Sequence, residues 1–169
     1  RLSRGLGDVY KRQTLDWVDP SAIGVFGHSY GGFMTLMCLA QAPDVFAAGV
    51  SVAPVFTWEL YDTHYTERYL GSPQTDPQAY RDSGVAPWVD KIASPLLVMH
   101  GMADDNVLFT NTTMLMKALQ DCGIPFDLMT YPGSKHALQE PAVARHRFDM
   151  ILRFFDRNLR GQTPLERRR

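Results

Sequence analysis

Ser29 lies in Gly27-His28-Ser29-Tyr30-Gly31, a Gly-X-Ser-X-Gly pentapeptide of the kind that supplies a nucleophilic hydroxyl. An apolar run over 23–26 precedes it, and an apolar segment over 33–40 follows at once. Strand, sharp turn and helix in that order form the setting in which such a serine stands on a strained turn at a strand tip. The tightness of the turn calls for glycine on both sides, hence Gly27 and Gly31. A serine hydroxyl is a poor nucleophile at neutral pH. It needs a base within hydrogen-bond reach and a third group to orient that base.

In a strand–elbow–helix fold these partners follow in the order serine, acid, histidine. Five histidines are available. His28 sits inside the turn, with its backbone committed to it, and His64 precedes any acid candidate. His100 ends an apolar run ahead of the acid, and His146 falls inside a helical segment near the C-terminus. His136 remains, in a Gly133-Ser134-Lys135-His136 loop just past an apolar run. Parallel α/β folds place their chemistry on loops at that end of a strand, so His136 is the expected general base. The acid should leave the neighbouring strand in the same direction. His100-Gly101-Met102-Ala103-Asp104-Asp105-Asn106 delivers two candidates. The His-Gly-X-X-Asp spacing favours Asp104, and Asp105 is expected to cap or brace the loop. The main-chain N–H of Tyr30, directly after the nucleophile, is the expected oxyanion donor. A second donor is expected from a loop upstream of residue 14.

The elements that must position these residues follow from the spacing of apolar positions. Strands are predicted over 23–26, 47–52, 96–100 and 126–131, and helices over 30–41, 58–70, 77–82, 110–122 and 143–159. Residues 14–18 read as the last turns of a further helix, broken by Asp19-Pro20-Ser21. Alternating strands and helices imply a parallel sheet with helices on both faces. Four strands amount to half of such a fold. Residues 1–13 are basic and carry no structural period. They read as a non-native leader, translated from sequencing adaptor, and are set apart from the single domain over 14–160. Residues 161–169 read as a basic, solvated tail.

The 169 residues are 45% hydrophobic and 21% charged, with a net charge of −1. That balance fits an ordinary globular domain and argues against a nucleic-acid partner. No apolar run approaches the roughly 20 residues of a membrane span. Cys38 and Cys122 both fall in apolar helical segments and are expected to be buried free thiols. Two cysteines do not make a zinc site, no phosphate loop is present, and a serine–histidine–acid chemistry needs no metal and no cofactor.

Longer strings resemble one family. Gly27-His28-Ser29-Tyr30-Gly31-Gly32, Val52-Ala53-Pro54-Val55 with Trp58, and Tyr61-Asp62 with Tyr65-Thr66-Glu67-Arg68-Tyr69 look like the prolyl oligopeptidase family. His100-Gly101-Met102-Ala103-Asp104-Asp105-Asn106-Val107 and Tyr131-Pro132-Gly133-Ser134-Lys135-His136 extend the match, which is most similar to the dipeptidyl peptidase IV branch. The resemblance implies the C-terminal half of an α/β-hydrolase fold. It also implies a serine peptidase that removes N-terminal dipeptides with proline or alanine second, using Ser29, Asp104 and His136. It further assigns a pocket for the proline ring to Tyr30, Val55, Trp58, Tyr61, Tyr65 and Val107, with Asn106 bonding the substrate carbonyl. From spacing alone the same aromatic residues read as core packing. The resemblance places a β-propeller, acidic amine-binding residues and a tyrosine oxyanion donor upstream of residue 14. It is compatible with a homodimer. Bacterial members of the branch are often exported, which points to a periplasmic or secreted full-length protein, with the compartment left open.

Two other readings use the same residues. A carboxylesterase or lipase shares the elbow and triad but takes ester substrates. An inactive fragment would carry the motif without turnover, since losing one oxyanion donor costs on the order of 3 kcal/mol in the transition state. On that basis the 169-residue chain alone is expected to be nearly inactive. Its Ser29 strand would then form a bare apolar sheet edge.

Overall fold

The structure, a computed structural model, describes residues 15–160. The proposed leader over 1–13 and the basic tail over 161–169 lie outside the described residues. Among the described residues, four strands form one parallel sheet in the order β1-β2-β3-β4: β1 Gly24–His28, β2 Ala48–Val52, β3 Leu96–Gly101 and β4 Asp127–Tyr131. Five α-helices accompany them there: α1 Tyr30–Gln41, α2 Thr63–Leu70, α3 Pro77–Ser83, α4 Thr110–Asp121 and α5 Pro141–Leu159. Two short 3-10 helices, Trp58–Leu60 and Ala86–Lys91, complete the excursion between β2 and β3.

The sheet is covered on both faces because its central strands are apolar on both. Leu96 and Val98 of β3 join a core with Phe33, Leu36 and Leu39 of α1 and Leu115 and Leu119 of α4. The alternate residues Leu97 and Met99 pack instead with Val50 and Val52 of β2 and with Ile151 and Phe154 of α5. Every residue of β2 and β3 is buried, as expected for strands sandwiched between helices. β1 and β4 are half-buried and form the two edges among the described residues, and Phe26 of β1 is 46% exposed.

Several local expectations are corrected. The helix predicted over 58–70 is broken at Asp62, which turns extended (φ −63°, ψ 144°) and accepts from the main-chain N–H of Tyr65 at 2.8 Å. An aspartate that can satisfy a free helix amide favours a new helix start there. Residues 15–18 form a turn closed by Val18 N–H on Leu15 O, not a helix end. Cys122 lies on the exposed end of α4 instead of in the core, while Cys38 is half-buried, and both are free thiols. No helix among the described residues is long and apolar enough to cross a membrane.

Candidate active site

β1 ends at His28 and α1 begins at Tyr30, which leaves Ser29 alone at the junction. Its backbone is strained, with φ 61° and ψ −120°. Such a conformation costs on the order of 1–3 kcal/mol for a residue with a side chain. Two bonds hold it: Ser29 N–H donates to Val52 O at 2.8 Å, and Ser29 O accepts from Phe33 N–H at 3.0 Å. A Cβ on Gly27 would stand 2.0 Å from the Gly31 carbonyl oxygen, so the elbow closes only over glycine at 27. The expectation for Gly31 is corrected. A Cβ there meets open space, and the second crowded position is Gly32, against Val52 O at 2.5 Å. The first-turn amides of α1, including Tyr30 N–H, have no carbonyl one turn earlier in the helix and are free to donate to an anion.

Asp104 and His136 meet at the C-terminal end of the sheet. His136 Nδ1 stands 2.7 Å from Asp104 Oδ2. A carboxylate only accepts, so Nδ1 carries the proton and Nε2 is left with a lone pair. The Asp104 carboxylate takes four donors. Oδ1 accepts from the main-chain N–H groups of Asn106 and Val107 at 2.9 and 3.0 Å, and Oδ2 accepts from His136 and from His100 Nε2 at 3.0 Å. Asp105 points elsewhere and pairs with Lys135 at 2.6 Å on the exposed rim. The Lys135 ammonium holds the Asp105 carboxyl below its ordinary value. This places Asp104, rather than Asp105, against the imidazole. Among the described residues, the hydrogen bonds include none from the Ser29 hydroxyl to His136. What adjoins His136 on the β1 side is His28, whose ring centroid is 4.9 Å away.

His100, at the end of β3, is fully buried beneath the acid. Its Nε2 faces two acceptors, Asp104 Oδ2 and Val107 O at 2.9 Å, so the proton sits there and Nδ1 accepts from Thr112 Oγ1 at 2.7 Å. Burial pushes its imidazole below the ordinary value, against the opposing pull of the Val107 carbonyl and the Asp104 carboxylate. The available signal was a histidine four residues before Asp104 at the end of an otherwise apolar strand. The His136 loop is braced from α5 as well, where Arg147 donates to Ala137 O at 3.2 Å.

The aromatic residues of the excursion cluster beside the elbow. Trp58 stacks on Tyr65 with centroids 6.2 Å apart, Tyr61 meets Tyr65 edge-on at 5.5 Å, and Tyr30 lies 6.0 Å from Trp58. Trp58 is oriented by its indole N–H on Ser83 O at 2.9 Å. A cavity of about 520 Å³ opens between Tyr30, Trp58 and Tyr65, and Phe33, Thr66, Tyr69, Leu70 and Ser83 complete its wall. Val55 and Val107 are buried, and they, Tyr61 and the exposed Asn106 lie outside this cavity's lining. Phe33 and Tyr69 were missed. Tyr69 follows Tyr65 by one helical turn, and that spacing could have found it. Among the described residues no group of three or more His, Cys, Asp or Glu side chains is arranged to hold a metal ion.

The profile of the prolyl oligopeptidase family, peptidase S9, matches residues 8–162. The chain belongs to the prolyl oligopeptidase family. Within it, the chain is 38% identical to dipeptidyl peptidase 8 of Homo sapiens over 156 residues, which cover 90% of this chain and 17% of that protein. It is 38% identical to dipeptidyl peptidase 4 of Sus scrofa over 143 residues, 83% of this chain and 19% of that protein. Its fold matches the crystal structure of Porphyromonas gingivalis dipeptidyl peptidase 4 with a TM-score of 0.86 and 35% identity, covering 89% of this chain and 22% of that one. The chain therefore spans about a fifth of the length of these relatives. Membership supports a peptidase, and the four parallel strands with flanking helices are those of the family's α/β-hydrolase domain.

Proposed function

We propose that the protein carrying this chain is a serine peptidase that releases N-terminal dipeptides with proline or alanine second. The observation that carries the serine-hydrolase part of this reading is the His136–Asp104 bond at the end of the sheet where the strained Ser29 also stands. In the proposed reaction His136 Nε2 takes the proton of Ser29 Oγ as that oxygen attacks the scissile carbonyl. Tyr30 N–H donates to the oxyanion. The tetrahedral adduct then collapses: the C–N bond breaks, the amine leaves with the proton from His136, and an acyl-enzyme forms on Ser29. Water, deprotonated by His136, hydrolyses that ester and regenerates the hydroxyl. Asp104 keeps Nδ1 protonated and stabilises the imidazolium that forms.

The aromatic cavity supports the preference for a small ring. A proline side chain is rigid and apolar, with no N–H to satisfy, and aromatic faces suit it. Tyr30, Trp58 and Tyr65 would contact the ring. Val55 and Val107 would back the wall, Tyr61 would flank it, and Asn106 would bond the substrate carbonyl. The names of the relatives, dipeptidyl peptidases, support release of two residues at a time. The test is steady-state hydrolysis by the full-length protein of a dipeptide amide with proline second, an N-acylated version of it, and a short-chain ester. The proposal expects kcat/KM for the free-amine amide to exceed that for the blocked amide by at least about 10²-fold, in keeping with loss of a charge-assisted contact. Ester turnover with no amide turnover would replace it with the esterase reading.

Gly101 gives a second test of the geometry. A Cβ at this position would stand 2.4 Å from Ser134 O and 2.8 Å from Lys135 O, both main-chain atoms of the His136 loop. Gly101→Ala must push that loop off the tip of β3, which also carries Asp104. The expected outcome is a stability loss of about 1–3 kcal/mol and a fall in kcat of roughly 10²-fold. Thermal unfolding and kinetics per active site check it, and a variant with wild-type kcat contradicts it.

A further inference from the structure

His28 is used by nothing above, although it adjoins both the nucleophile and the base. Ser29 and His136 arrive from opposite edges of the sheet, because β1 and β4 are separated by β2 and β3. At about 4.8 Å per strand, β1 and β4 themselves lie on the order of 14 Å apart. Yet His28 Nε2 lies 2.8 Å from the main-chain oxygen of His136, and the two rings stand 4.9 Å apart. A carbonyl oxygen only accepts, so Nε2 of His28 is the protonated nitrogen. We propose that His28 is a positioning residue for the base: its Nε2–H pins the main chain of His136 to the strand tip that delivers Ser29. This rests on the reading of Ser29 as nucleophile and His136 as base.

The remaining ties of the loop run elsewhere. Ser134 O accepts from Ala103 N–H at 3.1 Å and its hydroxyl donates to Glu140, Lys135 pairs with Asp105, His136 with Asp104, and Ala137 O with Arg147 of α5. Among the hydrogen bonds of the described residues, the one from His28 is what joins the loop to β1. It therefore controls the separation of Ser29 from the imidazole, the coordinate along which the proton must pass. An error of about 1 Å there costs on the order of 10²-fold in rate. The charges around the ring favour the neutral donor. Burial pushes the His28 imidazole below its ordinary value, a protonated His136 and Arg147 act in the same direction, and the bond to the His136 carbonyl and the charge of Asp104 oppose them.

The experiment compares His28→Phe and His28→Gln in the full-length protein, with kcat and KM for a Xaa-Pro amide and the rate of fluorophosphonate acylation, each per labelled site. Phenylalanine keeps a ring of similar size and loses the donor. Glutamine places an N–H near the Nε2 position. The expected results are kcat and acylation rate about tenfold down in His28→Phe with KM within about twofold, and His28→Gln within about threefold of wild type. A Phe variant within about twofold of wild type, or a Gln variant falling as far as Phe, overturns the role of His28. If His28→Phe does not fold, ¹⁵N-histidine NMR of the wild-type protein decides: a neutral ring protonated on Nε2 supports the role, and an Nδ1–H tautomer overturns it. Wild-type protein that does not label at Ser29 overturns the triad reading itself, a result distinct from a labelled wild type with an indifferent Phe variant.

Discussion

Ser29→Ala in the full-length protein is expected to lower kcat for dipeptide release by on the order of 10⁶-fold, the scale seen when the nucleophile of a triad is removed. This corresponds to about 8 kcal/mol of transition-state free energy. The loss is large because Ser29, His136 and Asp104 act as a unit: without an oxygen to receive, the lone pair on His136 Nε2 has nothing to do. KM should change little, since the aromatic cavity is built by Tyr30, Trp58 and Tyr65 and not by the serine side chain. The fold should tolerate the change, because alanine removes one oxygen from an already strained residue whose holding bonds are main-chain. Steady-state kinetics with a Xaa-Pro amide measure it, and a variant retaining more than about 1% of wild-type kcat takes Ser29 out of the mechanism.

Asp104→Asn is expected to lower kcat by roughly 10⁴-fold. The four donors around the carboxylate make the substitution costly in either orientation. If the new amide nitrogen takes the Oδ2 position, it faces His136 Nδ1–H and His100 Nε2–H. If it takes the Oδ1 position, it faces the N–H groups of Asn106 and Val107, which cannot reverse. The side chain therefore puts its NH₂ toward the histidines, and His136 relieves the clash by moving its proton to Nε2. In that tautomer it has no lone pair for Ser29. Stability should fall as well, by about 1–3 kcal/mol for a buried donor left facing donors. Kinetics per folded molecule and thermal unfolding separate the two effects. An Asn variant within about tenfold of wild-type kcat would remove Asp104 from the role of orienting group.

Much of the scaffold was legible because its signals are local. β2 and β3 are short apolar runs bounded by turn residues, and α4 shows its buried face as Leu115 and Leu119 at helical spacing. The excursion was harder. One continuous helix fits the residue preferences over 58–70, and only the cap at Asp62 breaks it. The 3-10 helix Ala86–Lys91 is too short to leave a periodic trace. At the site, Ser29 announces itself by its flanks, and the order serine, acid, histidine narrows the partners. What escaped was side-chain direction. His100 and His28 were set aside for their backbone positions, one at a strand end and one inside a turn. His28 reaches the His136 carbonyl across 108 residues, which no local pattern encodes, whereas His100 lies only four residues before the acid it supports.

The most direct test of the proposed chemistry is to map the adduct of a fluorophosphonate on the full-length, catalytically competent protein by peptide mass spectrometry. The account predicts about one phosphonyl group per chain, carried by the peptide that contains Ser29. A protein that hydrolyses Xaa-Pro amides while its adduct maps to another residue, or while Ser29 stays unmodified at complete inhibition, would contradict it.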